Sequence, residues 1–597
     1  MNPATLNELF FGAIDRAGEH PVILRVKRDG HWIPLSPATV LQRVHHLHCG
    51  LRELGLQRGD RMAILSENRP EWAIADYACL TARLADVPVY PTLPAHQAGY
   101  ILQNSGARGA FVSTREQLAK VLECRASTPA LEHLVLFDDG EVPDGVIGLR
   151  ELEALGAAAA SKYPAWRAEA LEVVPDDLAT LIYTSGTTGD PKGVMLTHGN
   201  ITSNVVASLQ VLSITAEDEC LSFLPLSHIF ERMVGHYTML QAGTVINYAT
   251  NMESLLTEMG EVHPTILASV PRLYEKIYAG TVDKALSAGG LTRAIFEWAV
   301  STGKERLEYT LNQRRVPPGL ALAYRVASIL VFSKLHARLG GKLRFFVSGG
   351  APLNPDICRF FLAAGLPILE GYGLTETSPV MTVNTFELLK PGTVGRPIPG
   401  VEIIIAPDGE ILTRGPNVMK GYYNNPAATA EAIDADGWFH TGDVGVIDSD
   451  GCLRITDRKK DLIVTAGGKN IAPQPIEALL KTNKFFLNAV MLGDKRKFPI
   501  MLLVPNRKAV KQWLAAKGKS LADDEPIGAI PEARDKLERE ARKELRDLAH
   551  FEMPKKFLII EHDFTIEGGE LTPKMSIRRK VVEDHYRDEI EALFTDD

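Results

Sequence analysis

The chain is short of several features that would fix its class early. Its 597 residues hold six cysteines, Cys49, Cys79, Cys124, Cys220, Cys358 and Cys452, with no Cys-x-x-Cys spacing. That pattern excludes a disulfide framework and a cysteine zinc site, and fits a reducing cytosol. Positive charge is in deficit, with 65 Lys and Arg against 74 Asp and Glu, a formal charge of −9 and no basic tail. Nucleic acid is therefore not an expected partner. The opening residues, Met1-Asn-Pro-Ala-Thr-Leu-Asn-Glu-Leu, lack the basic-then-apolar order of a secretory leader. No apolar run reads as long enough to span a bilayer, so a cytoplasmic location is expected. With 45% apolar and 23% charged residues, the chain reads as globular and too long for one core, giving at least two domains.

What is present centres on Leu181 to Gly193, Leu-Ile-Tyr-Thr-Ser-Gly-Thr-Thr-Gly-Asp-Pro-Lys-Gly. The apolar entry predicts a buried strand ending at Tyr183. Thr184, Ser185, Thr187 and Thr188 then alternate with Gly186 and Gly189, supplying hydroxyl donors and backbone N–H groups able to curl around an anion, and Lys192 adds a point charge. Fixed donors of this kind can follow charge that moves between phosphate oxygens. It is not a Walker loop, because Lys192 stands between Pro191 and Gly193. A Ser/Thr/Gly cluster alone would more often be a polar surface loop.

Strand-helix-strand alternation begins at Met62–Leu65, a helix about 71–83 and Val87–Tyr90, and recurs to about Val347, predicting α/β layers with mostly parallel strands. His45, His46 and His48 read as a surface face of an N-terminal helix, since no carboxylate or cysteine cluster accompanies them. His228 and Glu231 offer only two ligands and make a weak metal pair; the bland reading there is a helix start capped by Ser227. Between Lys304 and Arg344 nine basic residues stand against Glu305 and Glu308, interleaved with Leu, Ile, Val and Phe. A solvated helical face is the commoner explanation and is slightly favoured; the competing reading is peripheral docking on an anionic membrane at the inner face. Asp535/Arg539 and Glu538/Arg542 read as i,i+4 pairs on a charged helix.

Leu181–Gly193 resembles the phosphate loop of the adenylate-forming superfamily, the acyl-CoA synthetases, luciferases and peptide-synthetase adenylation domains. Further motifs follow in family order, and the His-Ile-Phe-Glu-Arg stretch at His228 looks like the long-chain fatty acyl-CoA synthetase branch. The resemblance implies a large N-terminal AMP-binding and acyl-binding domain over 1–459, and a small mobile α+β C-terminal domain over 460–597. It implies adenylation of a fatty acid by ATP and Mg²⁺, then transfer to coenzyme A. Two alternatives stay open: delivery to a carrier-protein thiol, and a non-catalytic fatty-acid or nucleotide-binding relative. By the same resemblance His228 and Phe230 line the acyl-carboxylate pocket. Gly349, Gly350 and Ala351 give a flat base room against backbone, Tyr372 and Gly373 meet the adenine, and Thr375 reaches phosphate. Glu376 holds Mg²⁺, and Asp443 with Arg458 takes the ribose. Lys460 is the domain pivot, and Gly467 and Gly468 line the thiol channel. The family's C-terminal adenylation lysine has Ser576 at its expected place, within Glu570-Leu-Thr-Pro-Lys-Met-Ser-Ile-Arg-Arg. Lys574, two residues earlier, keeps the same face of an extended segment.

Overall fold

The computed structural model describes residues 2–184, 190–466, 469–565, 568–571 and 577–595. The expected sites at Ser185, Gly186, Thr187, Thr188, Gly189, Gly467, Gly468, Lys574 and Ser576 lie outside the described residues. The chain forms two compact units: Met1–Pro271, Gly289–Ile404 and Leu412–His440 in one, Arg272–Ala288, Ile405–Ile411 and Thr441–Asp597 in the other. Strand Phe439–Ile447 pairs antiparallel with Leu453–Arg458, and from Thr441 on that hairpin groups with the second unit.

The larger unit is α/β with two mostly parallel sheets, as expected. In an eight-stranded sheet, Arg61–Leu65, Ala85–Val89, Gly109–Val112 and His133–Leu136 run parallel, Leu178–Thr184 joins Ala85–Val89 in parallel, and Lys192–Thr197 turns back antiparallel. A nine-stranded sheet has Glu219–Ser222, Val245–Tyr248, Ile266–Ser269, Phe345–Ser348 and Ile368–Gly373 as its parallel core. These strands are largely buried and mostly apolar because both faces are covered. Helix Pro70–Thr81, close to its expected span, is buried on every side. The smaller unit is α+β: Phe486–Leu492, Ile500–Pro505 and Lys556–Ile559 form one sheet, and helix Pro531–Glu544 contributes Leu537 to a core with Met491 and Leu503.

Three expectations are corrected. The histidine run lies on helix Pro37–Glu53, but that face is covered by helix Leu149–Ala159, where a Cβ at Gly50 would come 2.6 Å from the Leu152 carbonyl oxygen. His48 is buried and His45 stacks on Trp166 at 4.4 Å between centroids; burial holds His48 down to about 4, so it stays neutral. On helix Pro531–Glu544, Arg539 donates to the Asp535 main-chain carbonyl and Arg542 packs over Phe557, while Lys536 pairs with Glu540; the anticipated side-chain pairs are absent among the described residues. Helix Pro318–Arg338 has 21 residues, and its most apolar 18-residue stretch has a mean hydropathy of 1.3, enough by length and composition to cross a bilayer. Arg325, Lys334 and Arg338 interrupt its apolar run and hide it from a scan for unbroken ones.

Candidate active site

In the larger unit three distant segments converge. Thr184 and Lys192 are register partners across the antiparallel pair Leu178–Thr184/Lys192–Thr197. The short strand Gly421–Tyr422 pairs with the other edge of Lys192–Thr197, setting Tyr422 opposite Val194. Its ring thereby comes beneath Lys192, whose Nζ lies 4.9 Å from the ring centroid. The Tyr422 hydroxyl donates to Glu376 Oε1 at 3.0 Å. Burial first, and then the Glu376 carboxylate, push that phenol far above its ordinary value, so it remains a donor. The Glu376 carbonyl accepts from the Met419 N–H at 2.8 Å, and Asn417 Nδ2 donates to the Thr377 carbonyl at 2.9 Å. The turn carrying Thr375 and Glu376 is thus stitched to 417–422 along its length. Tyr372 stands half-buried opposite Thr382 on the strand leading into that turn. Gly373 must be glycine, since a Cβ there would overlap the Pro379 carbonyl.

Beside this, Ser227 does not cap the helix: its hydroxyl is buried without a partner. The Phe230 N–H donates instead to His228 Nδ1 at 2.9 Å, which places the proton of a neutral ring on Nε2. Phe230 lies under the glycine turn, and a Cβ at Gly349 would stand 3.0 Å from its ring. The expected acyl-pocket and nucleotide residues are therefore neighbours here. Gly350 takes φ +80°, open to glycine at no steric cost, with Ala351 exposed after it.

Glu231 is wholly buried and burial pushes its carboxyl up to about 8, which removes the His228/Glu231 metal pair. Among the described residues no group of three or more His, Cys, Asp or Glu could hold a metal. Glu376 is a half-buried single carboxylate next to Lys192, a donor set that fits a hard cation drawing its remaining ligands from phosphate oxygens and water. Next to Glu231, Arg232 is saturated by Asp76, Asp86, Thr180 and Tyr237.

In the smaller unit Asp443 and Arg458 are cross-strand partners, with Arg458 Nε 3.2 Å from Asp443 Oδ1. Lys459 is held by Asp408 at 2.7 Å and Glu410 at 3.0 Å, while Lys460 is exposed in the following turn. Burial raises the Asp457 carboxyl beside them to about 7.

Tyr422 was not singled out by sequence. The available signal was the aromatic pair Tyr422-Tyr423 after Gly421, but only strand pairing brings it to Glu376, 46 residues away.

The AMP-binding enzyme family matches residues 11–423, and the AMP-binding enzyme C-terminal domain matches 460–597. The chain is 38% identical to the Long-chain-fatty-acid–CoA ligase FadD15 of Mycobacterium bovis, over 95% of this chain and 93% of that protein. It is 32% identical to the peroxisomal long chain acyl-CoA synthetase 6 of Arabidopsis thaliana, over 99% and 86%. Among solved structures, the anthranilate CoA ligase AuaEII with anthranoyl-AMP superposes with a TM-score of 0.76 at 17% identity, covering 99% of each chain. ATP-bound MatB from Rhodopseudomonas palustris gives 0.70 at 24%, covering 98% and 99%. The fold is that of these adenylate-forming enzymes, and the chain belongs to the AMP-binding enzyme family.

Proposed function

We propose that this protein is a long-chain fatty-acid–CoA ligase, working in two half-reactions. A carboxylate is a poor acyl donor because its leaving group would be oxide; adenylation supplies AMP as the leaving group instead. In the first step a fatty carboxylate oxygen attacks the α-phosphorus of ATP, the bond to the bridging oxygen breaks, and pyrophosphate leaves. In the second the coenzyme A sulfur attacks the acyl carbon, AMP departs, and the thiol proton is released.

The observation that carries this reading is the convergence of Lys192, Tyr422 and Glu376 in a chain so extensively similar to proteins bearing that ligase name. Catalysis of phosphoryl chemistry is mostly positioning and charge neutralisation. We assign Lys192, with Thr184, Ser185, Gly186, Thr187, Thr188 and Gly189, to the terminal phosphates, and Thr375 to the α-phosphate. Glu376 would hold Mg²⁺, which supplies positive charge against the triphosphate. Tyr422 fixes the Glu376 carboxylate. Tyr372, with the Gly349-Gly350-Ala351 turn, is assigned to adenine, and Asp443 with Arg458 to the ribose hydroxyls. His228, proton on Nε2, donates to the fatty carboxylate beside Phe230. Lys574 is assigned to the carboxylate and α-phosphate during adenylation. For thiolysis we assign a mobile domain over 460–597 pivoting at Lys460, with Gly467 and Gly468 along the thiol channel.

Pyrophosphate release with palmitate and Mg·ATP, with mass spectrometry of acyl-AMP and acyl-CoA with and without coenzyme A, tests the proposal. Palmitoyl-CoA is expected. Palmitoyl-AMP that persists with coenzyme A present would move the second step to another thiol. Neither product across a panel of fatty acids would overturn the reading.

A further inference from the structure

The helix Pro318–Arg338 is apolar in composition, yet only 17% of its most apolar window is buried. One side holds it to the larger unit. Ala327, Phe332 and Leu335 are buried, His336 Nε2 lies 2.8 Å from the Ala364 carbonyl oxygen, and the Tyr324 ring stacks under the Arg306 guanidinium of the preceding helix at 4.3 Å. A helix so anchored lies along the protein and does not span. The other side faces outward. Leu322 is 66% exposed, Ile329 66%, Leu330 46% and Val326 41%, the largest run of exposed aliphatic side chains on any helix among the described residues.

Exposed residues recur in pairs every four positions: 321/322, 325/326, 329/330, 333/334 and 337/338. In a regular helix a four-residue repeat drifts about 40° per turn. The π-turn Ser328–Phe332, with its extra residue, takes out part of that drift and keeps the outward face continuous. The same exposed pairs carry Arg325, Lys334 and Arg338, and Arg314 and Arg315 are exposed just before the helix. None of these five forms an ion pair among the described residues, and of them only Arg314 has a ring contact, over Tyr309 at 5.4 Å. By contrast, Arg344 is taken by buried Asp218 and Arg306 by Tyr324, so the basic segment read from sequence separates into structural cations and outward ones.

We propose that the outward face of Pro318–Arg338 is a docking surface for an anionic lipid bilayer, on which the protein sits peripherally. An interfacial helix buries its apolar side chains at the acyl boundary while cations on the same face meet lipid phosphates. Each outward cation near an anionic surface strengthens attachment, and the chain's overall acidity makes this local excess of cations selective for that face. A long-range consequence is that fatty acids dissolved in the same membrane are delivered at the protein's own surface.

Flotation of the full-length protein with phosphatidylcholine vesicles, with and without phosphatidylglycerol, tests this without any substrate, so its outcome is independent of the ligase assignment. Binding to the anionic vesicles is expected, falling roughly tenfold or more in Arg325→Glu/Lys334→Glu/Arg338→Glu and likewise in Leu322→Ser/Ile329→Ser. Both variants should keep the wild-type melting temperature and pyrophosphate release with a detergent-solubilised fatty acid. Equal binding by wild type and both variants overturns the proposal. So does wild-type dimerisation in sedimentation velocity that Leu322→Ser/Ile329→Ser abolishes, since the face would then be covered by a second copy of the chain.

Discussion

Of the arginine–aspartate groupings in this molecule, those of Arg232 and Arg458 do opposite work. Arg232 is wholly buried with Asp76 and Asp86, and every donor of its fork is taken: Nε by Tyr237, Nη1 by Asp86 and Thr180, Nη2 by Asp76 and Asp86. Arg458 meets Asp443 through Nε at 3.2 Å and its side chain is 51% exposed. A saturated, dry guanidinium has nothing left to offer a ligand, whereas a half-exposed one keeps part of its donor fork in reach of solvent. Charge in the sequence is thus silent about role until saturation and burial are known. Burial pushes the Asp76 carboxyl up, and the Arg232 guanidinium beside it pulls against that shift.

Replacing Arg232 breaks that comparison most severely. Arg232→Met leaves Asp76 and Asp86 buried without their cation, and should cost about 3–5 kcal/mol in urea unfolding, or prevent soluble folding. A loss below about 1 kcal/mol would mean the network relaxes with water, and the contrast with Arg458 would lose its basis. On the exposed side, Glu376→Gln should leave the melting temperature unchanged while lowering pyrophosphate release by roughly 10²–10³-fold, the scale of removing a charged group from a phosphoryl-transfer site. Wild-type release from this variant would refute its metal role.

The polar half of the site was the legible half. Thr184, Glu376, Asp443 and Arg458 stand in local motifs that resemble the family's, and it is that resemblance that implies phosphate, metal and ribose chemistry for them; the apolar runs before Thr184 and Glu376 predicted the strands that lead into those two. Arg232 was visible only as a letter in a motif, because Asp76, on the wholly buried helix Pro70–Thr81, and Asp86, on strand Ala85–Val89, lie 156 and 146 residues away and join it only through packing. His48 was misread because periodicity shows which residues share a face, not which neighbour covers it. The outward helix Pro318–Arg338 was half-read: its cations were counted, but composition could not tell which of them the fold uses inside.

Glu231 sharpens the buried side. Its carboxyl stands at about 8 in the fold against a reference of 4.5, so the folded state holds the proton more tightly than the unfolded chain. Its contribution to stability is present below pH 4.5 and is lost as pH rises towards 8, at no more than about 1.4 kcal/mol per pH unit. Glu231→Gln keeps the shape without the titration. Its melting temperature should therefore fall less than that of the wild type between pH 5 and pH 8; parallel curves would show that the carboxyl is ionised and paired in the fold.

Tyr422 lies between the two regimes, half-buried yet touching residues assigned to chemistry, and gives the smallest effect. Tyr422→Phe deletes the hydrogen bond to Glu376 but keeps the ring under Lys192, and should lower pyrophosphate release by about 1 kcal/mol, roughly fivefold, with more Mg²⁺ needed for half-maximal rate. Tyr422→Leu also removes the cation–π contact and should lose a further 0.5–1 kcal/mol or so, expressed in the affinity for ATP measured calorimetrically in EDTA, where only the lysine contact counts. The separation of these two readouts is the point of the pair. A tyrosine that merely packs would give equal losses in both variants, tracking melting temperature and indifferent to Mg²⁺. One that positions both charges would shift the Mg²⁺ requirement in Phe and Leu alike, but the metal-free ATP affinity in Leu alone.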